Sequence, residues 1–268
     1  SDLTFVPDTG RYILEKTENT QQYIDLIANY TKEFSEDFDM GLTLGTSLTK
    51  YKIGDQISLD SGTNGGLRFP NEFTIANFVQ TNDISQSVSN REVQSVFGAA
   101  NFGYKGWLYL DVTGRSDWSS TLVNTESSSF FYPSVGLTGI LSEMFELPEA
   151  ISFAKLRASY AEVGKDLPPY ATIPLRTIGN TGSADQATFA PRAGETLEPE
   201  RQKSFEIGTE WRFMGSRLGL DLTYYDSKTE NQIFFIAAEP NTQGYTQNIV
   251  NAGEITNSGI ELVLNGKP

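Results

Sequence analysis

Four acidic residues stand at spacings that invite a test for carboxylate chemistry: Asp111 with Asp117, and Glu206 with Glu210. Glycoside hydrolysis needs two carboxyl groups a few ångströms apart, one acting as acid and the other as nucleophile or base. Both stretches alternate polar and apolar residues, so both read as strands. Along a strand the first pair is roughly 20 Å apart and the second about 13 Å. Neither works as a catalytic pair, and a carbohydrate-active enzyme is left without its acid and base. The chain has no Cys and no His. That removes thiol catalysis, thiolate metal sites and the commonest general base. The stretch Gly62-Thr63-Asn64-Gly65-Gly66 is rich in glycine, but no helix follows to present a phosphate site, so it reads as a flexible outer loop. Asp83, Asp166 and Asp185 have no EF-hand spacing for Ca²⁺. No catalytic residue, cofactor or metal is expected.

The better candidates for binding are aromatic. Phe69, Phe73, Tyr170, Phe234 and Tyr245 fall in or beside polar, turn-rich stretches, as do Phe78, Phe189 and Phe235. Exposed aromatic faces stack on sugar rings or grip apolar peptide side chains. Arg68, Arg176 and Arg192 lie in the same stretches and offer forks for carboxylates. For any single aromatic, loop–loop packing or contact with a partner lid is the favoured explanation, and for each Arg a solvated loop charge is. The ligand or lid contacts put forward are Phe69, Phe73, Tyr170, Arg176, Phe234 and Tyr245.

The elements that position these residues are strands. Leu42, Leu44 and Leu48 alternate with Thr43, Ser47 and Thr49; Leu108, Leu110 and Val112 with Tyr109, Asp111 and Thr113; Phe205 and Ile207 with Glu206 and Gly208. Successive strand residues face opposite ways, so each run has one apolar and one polar face. The alternation predicts about nine strands, near 11–34, 37–51, 88–103, 107–118, 131–141, 151–163, 202–213, 217–228 and 248–264. The links alternate. Short ones fall at 35–36, 104–106, 142–150 and 214–216, and long ones at about 52–87, 119–130, 164–201 and 229–247. An antiparallel up-and-down meander with all its short links at one end is the pattern of outer-membrane barrels. Tyr30, Tyr104, Trp107, Tyr109, Phe145, Trp211 and Phe213 cluster at strand ends beside the short links, where an aromatic girdle would lie.

Composition agrees with this reading. Hydrophobic residues make up 38% and aromatics 12%, a combination that suits a thin apolar band better than a thick core. No run of 18 apolar residues forms a membrane helix, which leaves open a barrel, whose strands need only about 9–11 residues. The net charge of −14 argues against a nucleic-acid partner. Asp111, Thr113, Arg115 and Asp117 share one face of a strand. Lys155 and Arg157 share another, and Glu206 and Glu210 a third. Charge of both signs is too costly against lipid, so these eight are predicted to face a wet lumen. A solvated face of an open soluble sheet is the competing explanation.

The local sequence is specific. SVFGAANFGYKGWLYLDVTGRSDWSSTL at 95–122 resembles the signature hairpin of the SusC/RagA family of TonB-dependent outer-membrane transporters of Bacteroidetes. The resemblance continues through 130–170, 197–234 and 251–268. It implies a large plugged barrel with short periplasmic turns and long extracellular loops, of which 1–268 would be a middle portion lacking the plug and closing strands. It also implies import of glycan or peptide fragments, a SusD-like surface lipoprotein as lid, TonB acting through the missing plug, and contact with outer-membrane lipid. The alternative is a free-standing β-rich binding domain, whose apolar faces would pack against a second sheet.

Overall fold

The computed structural model describes residues 10–62, 66–79, 83–126, 128–173, 189–238 and 245–267. Nine strands form one antiparallel sheet. They are β1 (Ile13–Ser35), β2 (Phe38–Asp60), β3 (Asp83–Tyr104), β4 (Leu108–Ser119), β5 (Ser129–Ile140), β6 (Ile151–Lys165), β8 (Glu200–Phe213), β9 (Leu218–Glu230) and β12 (Glu254–Gly266), each paired with the next in that order. Three short strands, β7 (Phe189–Pro191), β10 (Ile233–Ala237) and β11 (Gln247–Asn251), form a second sheet within the long links.

Register carries the two-faced pattern across the whole sheet. Leu44 lies opposite Gly98, Ala100 opposite Val112, Val112 opposite Val135, Leu137 opposite Ala158, Ala158 opposite Ile207, and Ile207 opposite Tyr224. Opposite residues share a face. One apolar stripe therefore runs across every strand, from Leu26 on β1 to Leu262 on β12. Nothing among the described residues covers it: Leu26 is 73% exposed, Leu44 55%, Leu137 47%, Ile207 41% and Leu262 57%. The buried hydrophobic cluster lies elsewhere, in the links, where Leu122, Leu167, Ala171, Leu197 and Ile249 pack together with Phe130, Phe189 and Ile233. A soluble sheet of this size would bury its stripe under a second layer. No such layer exists among the described residues, which is the geometry of a barrel wall.

The stripe is bounded by aromatics at both ends. Beside the short links Phe34 packs on Phe38, Phe38 on Phe102, Tyr104 on Trp107, and Trp211 on Phe213, with centroids 5.5 to 6.4 Å apart. Toward the long links, on the same apolar face, Trp118, Phe131, Phe205 and Tyr224 are each 42 to 56% exposed. From Phe213 to Phe205 is roughly 27 Å along the strand, or about 20 Å along the normal at usual barrel tilts, close to the height of a lipid-facing band. The second row escaped the sequence reading because its members are dispersed along the chain and meet only through strand register.

Several boundaries differ from expectation. β2 continues to Asp60 and β3 begins at Asp83, so both flanks of the first long link are strand that rises beyond the apolar stripe. The expected ninth strand is two elements, β11 and β12, separated by Ala252 and Gly253; Gly253 has a positive φ of 78°, a break that glycine tolerates. The link at 141–150, which carries the helical turn α1 (Leu141–Met144), is as long as the one at 120–128, so length alone does not sort the two ends. Topology does: every strand of the nine-stranded sheet is antiparallel to its neighbours, which puts 36–37, 105–107, 141–150 and 214–217 at one end. The outer links are also not simple loops. They build the small second sheet and the buried cluster, a cap with its own core.

Candidate functional site

All eight residues expected on the polar face do share one face, and cross-strand register assembles them into a charged lattice. Asp111 lies opposite Asn101, whose Nδ2 donates to its Oδ1 at 2.5 Å. The hydroxyls of Thr113 and Ser134 meet at 2.5 Å. Arg115 donates through Nε to Asp117 Oδ1 at 2.7 Å and through Nη2 to Ser95 Oγ at 2.7 Å, and its guanidinium lies 5.5 Å from the Phe97 ring centroid. Tyr132 donates to the other oxygen of Asp117 at 2.5 Å. Lys155 Nζ pairs with Glu210 Oε2 at 2.8 Å, and Arg212 donates to Glu210 Oε1 at 2.7 Å. Arg157 reaches past Gly208 to Asp221, at 2.9 and 3.1 Å, and to Thr223 Oγ1 at 2.6 Å. Glu206 lies opposite Ser159 and Tyr225 in the same band.

Three of these carboxylates are engaged within the sheet: Asp111 by the Asn101 amide, Asp117 by Arg115 and Tyr132, and Glu210 by Lys155 and Arg212. Asp117 and Glu210 each hold a basic side chain, and neither faces another acid across a gap fit for a substrate. Among the described residues no group of three or more His, Cys, Asp or Glu is placed to hold a metal ion. Asp166, considered above for Ca²⁺, has a different task. Its buried carboxylate accepts from Arg91 Nε at 2.8 Å, from Thr121 Oγ1 at 3.0 Å and from the hydroxyl of Ser119. This bracket ties the link that follows β6 to β3 and to the turn after β4. The side chain of Asp83 is not described, and Asp185 lies outside the described residues, as do residues 63–65 of the glycine-rich stretch.

The aromatic candidates fall into separate parts of the cap. Phe69 (63% exposed) and Phe73 (58%) lie in the link between β2 and β3, where Phe73 meets Tyr12 at 5.9 Å. The Asn77 side chain clamps this turn, accepting from the Phe69 N–H at 2.9 Å and donating to the carbonyls of Phe69 and Glu72. Tyr170 stands in the next outer link but one. Its hydroxyl accepts from the Asn90 N–H at 3.2 Å, and its ring lines a cleft of about 370 Å³ with Tyr51, Arg91 and Ile173. Phe234 (44% exposed) packs near Gly253, and Tyr245 is half-buried just before β11. Arg176 lies outside the described residues. Arg91 and Tyr51 were missed as cleft residues. Arg91 stacks over Tyr51 at 5.0 Å, but the two are far apart in sequence and meet only through the β2–β3 register.

A nine-stranded meander with a bare apolar stripe, two aromatic borders, a charged opposite face and a capped outer end defines a stretch of membrane β-barrel wall. The family described as TonB dependent receptor-like, beta-barrel, matches residues 2–267, and the chain belongs to that family. Within it the chain is of the SusC/RagA type, a barrel of the outer membrane. TonB-dependent receptor P26 of Formosa agariphila is 30% identical over 191 residues, which cover 69% of this chain and 19% of that protein. TonB-dependent receptor SusC of Bacteroides thetaiotaomicron is 25% identical over 185 residues, covering 65% and 18%. The chain thus spans about a fifth of the length of these relatives. Among solved structures, the RagAB peptide transporter superposes with a TM-score of 0.79 at 21% identity, over 95% of this chain and 28% of that one. The siderophore receptor PirA from Pseudomonas aeruginosa superposes at 0.56 with 20% identity, covering 93% and 40%. These two likenesses concern the fold.

Proposed function

We propose that this chain is part of the wall and outer rim of an outer-membrane importer of glycan or peptide fragments, working with a SusD-like lipoprotein lid and energised by TonB through a plug. The observation that supports this best is the bare apolar stripe backed by an ion-paired polar face. Lipid takes the first face, and a wet lumen takes the second, lined by Asp111, Thr113, Arg115, Asp117, Lys155, Arg157, Glu206 and Glu210. In this reading residues 1–268 form a partial barrel domain whose plug and closing strands lie in the rest of the receptor. The likeness to the RagAB peptide transporter supports this class of cargo.

The role is physical, with no covalent chemistry. The strands hold a passage open, the cap places Phe69, Phe73, Tyr170, Phe234 and Tyr245 at its mouth for substrate or lid, and Arg176 belongs to the same proposed set. The test is deletion of the receptor gene in its native cell, followed by growth on defined oligosaccharides and on defined peptide mixtures as sole nutrients. Loss of growth on one class, restored by the wild-type gene, supports import and names the cargo. Unchanged growth and uptake on both classes overturns the reading.

A further inference from the structure

Among the described residues β10 is an edge strand of the small sheet, and none of them pairs with its free side. It pairs with β11 in the register Ile233↔Asn251 to Ala237↔Gln247. The flanking bonds, Ala252 N–H to Gln232 C=O and Ala238 N–H to Thr246 C=O, set the parity. Phe234 and Ile236 therefore bond inward to β11, and Ile233, Phe235 and Ala237 turn their N–H and C=O groups outward. The Ile233 N–H is taken by Glu200 Oε1 at 3.0 Å. The main-chain groups of Phe235 and Ala237 have no partner among the described residues. Exposed edges are normally blunted by proline, charge or a bulge. The opposite edge, β7, carries Pro191, whereas β10 reads Ile-Phe-Phe-Ile-Ala with Phe235 46% exposed.

A cavity of about 300 Å³ adjoins this edge, walled by Ile53, Leu167, Pro168 and Phe235, with Lys165 and Glu200 at its polar side. Glu200 marks the side on which it opens, because the same carboxylate holds the outward N–H of Ile233. We propose that the free edge of β10 captures an extended peptide by strand addition. The peptide main chain pairs with Phe235 and Ala237, and one apolar side chain enters the cavity beside Phe235. Donor and acceptor recurring every second residue, roughly 7 Å apart, match a peptide backbone and not a sugar ring. Main-chain bonds then supply affinity, and the cavity supplies side-chain preference.

The experiment uses the full receptor in detergent micelles and a labelled hexapeptide of alternating Leu and Thr. Directly opposed residues share a side-chain face, so a Leu in the cavity turns its own amide toward β10. Methylating the Leu amides is expected to weaken binding roughly tenfold, and methylating the Thr amides to leave it unchanged. Hydrogen exchange at Phe235 and Ala237 should slow on adding the parent peptide, with Phe234 and Ile236 unaffected. Ala237→Pro removes an outward donor without touching the β11 ladder and should weaken binding to the same degree. Equal binding of both methylated peptides overturns the proposal. So does absence of binding, or protection of Phe235 and Ala237 before any peptide is added, which would show that another segment or the lid already covers the edge. These readouts are independent of uptake, so failure of the import reading is seen separately.

Discussion

Arg157 on β6 and Asp221 on β9 form a two-bond ion pair, at 2.9 and 3.1 Å, across an intervening strand. The pair exists because β8 presents Gly208 directly beneath the arginine. A Cβ there would stand 2.7 Å from Arg157 Nε. The missing side chain is what lets the guanidinium lie flat on the sheet and reach Thr223 and Asp221 together.

Gly208→Val should therefore disturb the wall more than loss of the charge it shelters. Overpacking at such a site costs about 1–3 kcal/mol. Asp221→Asn, at a half-exposed pair, should cost about 1 kcal/mol or less. Urea unfolding of the full receptor in detergent, followed by tryptophan fluorescence, ranks the two. The reverse order would show that the polar face is held by charge and not by close approach.

The two faces should respond oppositely to one substitution. Leu137→Arg places a cation near the middle of the apolar stripe, where it should cost about 2–4 kcal/mol in lipid. Thr113→Arg, on the opposite face, should be tolerated. Folding yields into lipid vesicles, read as the heat-modifiable band on gels, compare them. Equal yields would contradict the assignment of faces.

The bracket on Asp166 should control the cap without affecting the wall. Asp166→Ala strands Arg91, Ser119 and Thr121 without their shared acceptor, a loss of about 1–3 kcal/mol. Hydrogen exchange at Ala171, whose N–H bonds to the Pro168 carbonyl, should rise, with protection in β4 and β5 unchanged. Melting of the wall alongside the cap would mean the two are one cooperative unit.

Beyond the apolar stripe, Asp60 at the outer end of β2 accepts from Arg11 Nε at 2.9 Å and from its Nη2. The hydrogen bond from Arg11 holds this carboxyl below the usual carboxylate range. A lowered folded pKa adds stability above the unfolded value, near 3.9, and that stability is lost as pH falls through the lower folded value. The closing bond from Ser61 N–H to Tyr12 C=O should therefore hold above about pH 4 and loosen below it. Exchange at Ser61 across this range tests it. An Arg11→Gln variant should lose the extra protection already at neutral pH.

The sequence by itself determined which residues face which way. A period of two in Leu42, Leu44 and Leu48, or in Leu108, Leu110 and Val112, is a local property that any strand must obey. The number and direction of the wall strands followed as well, because antiparallel neighbours joined by short turns leave little choice, whereas the small second sheet did not. The tertiary structure alone decided what those faces touch. Trp118, Phe131, Phe205 and Tyr224 become one girdle, Arg91 meets Tyr51 and Asp166, and Arg157 finds Asp221 over Gly208, because register brings distant residues side by side. It also gave the outer links a core. Leu122, Leu167, Leu197 and Ile249 come from three different links, and no link read alone brings them together. Burying those few side chains together depends on the wall bringing the link ends close, and no local pattern encodes that proximity.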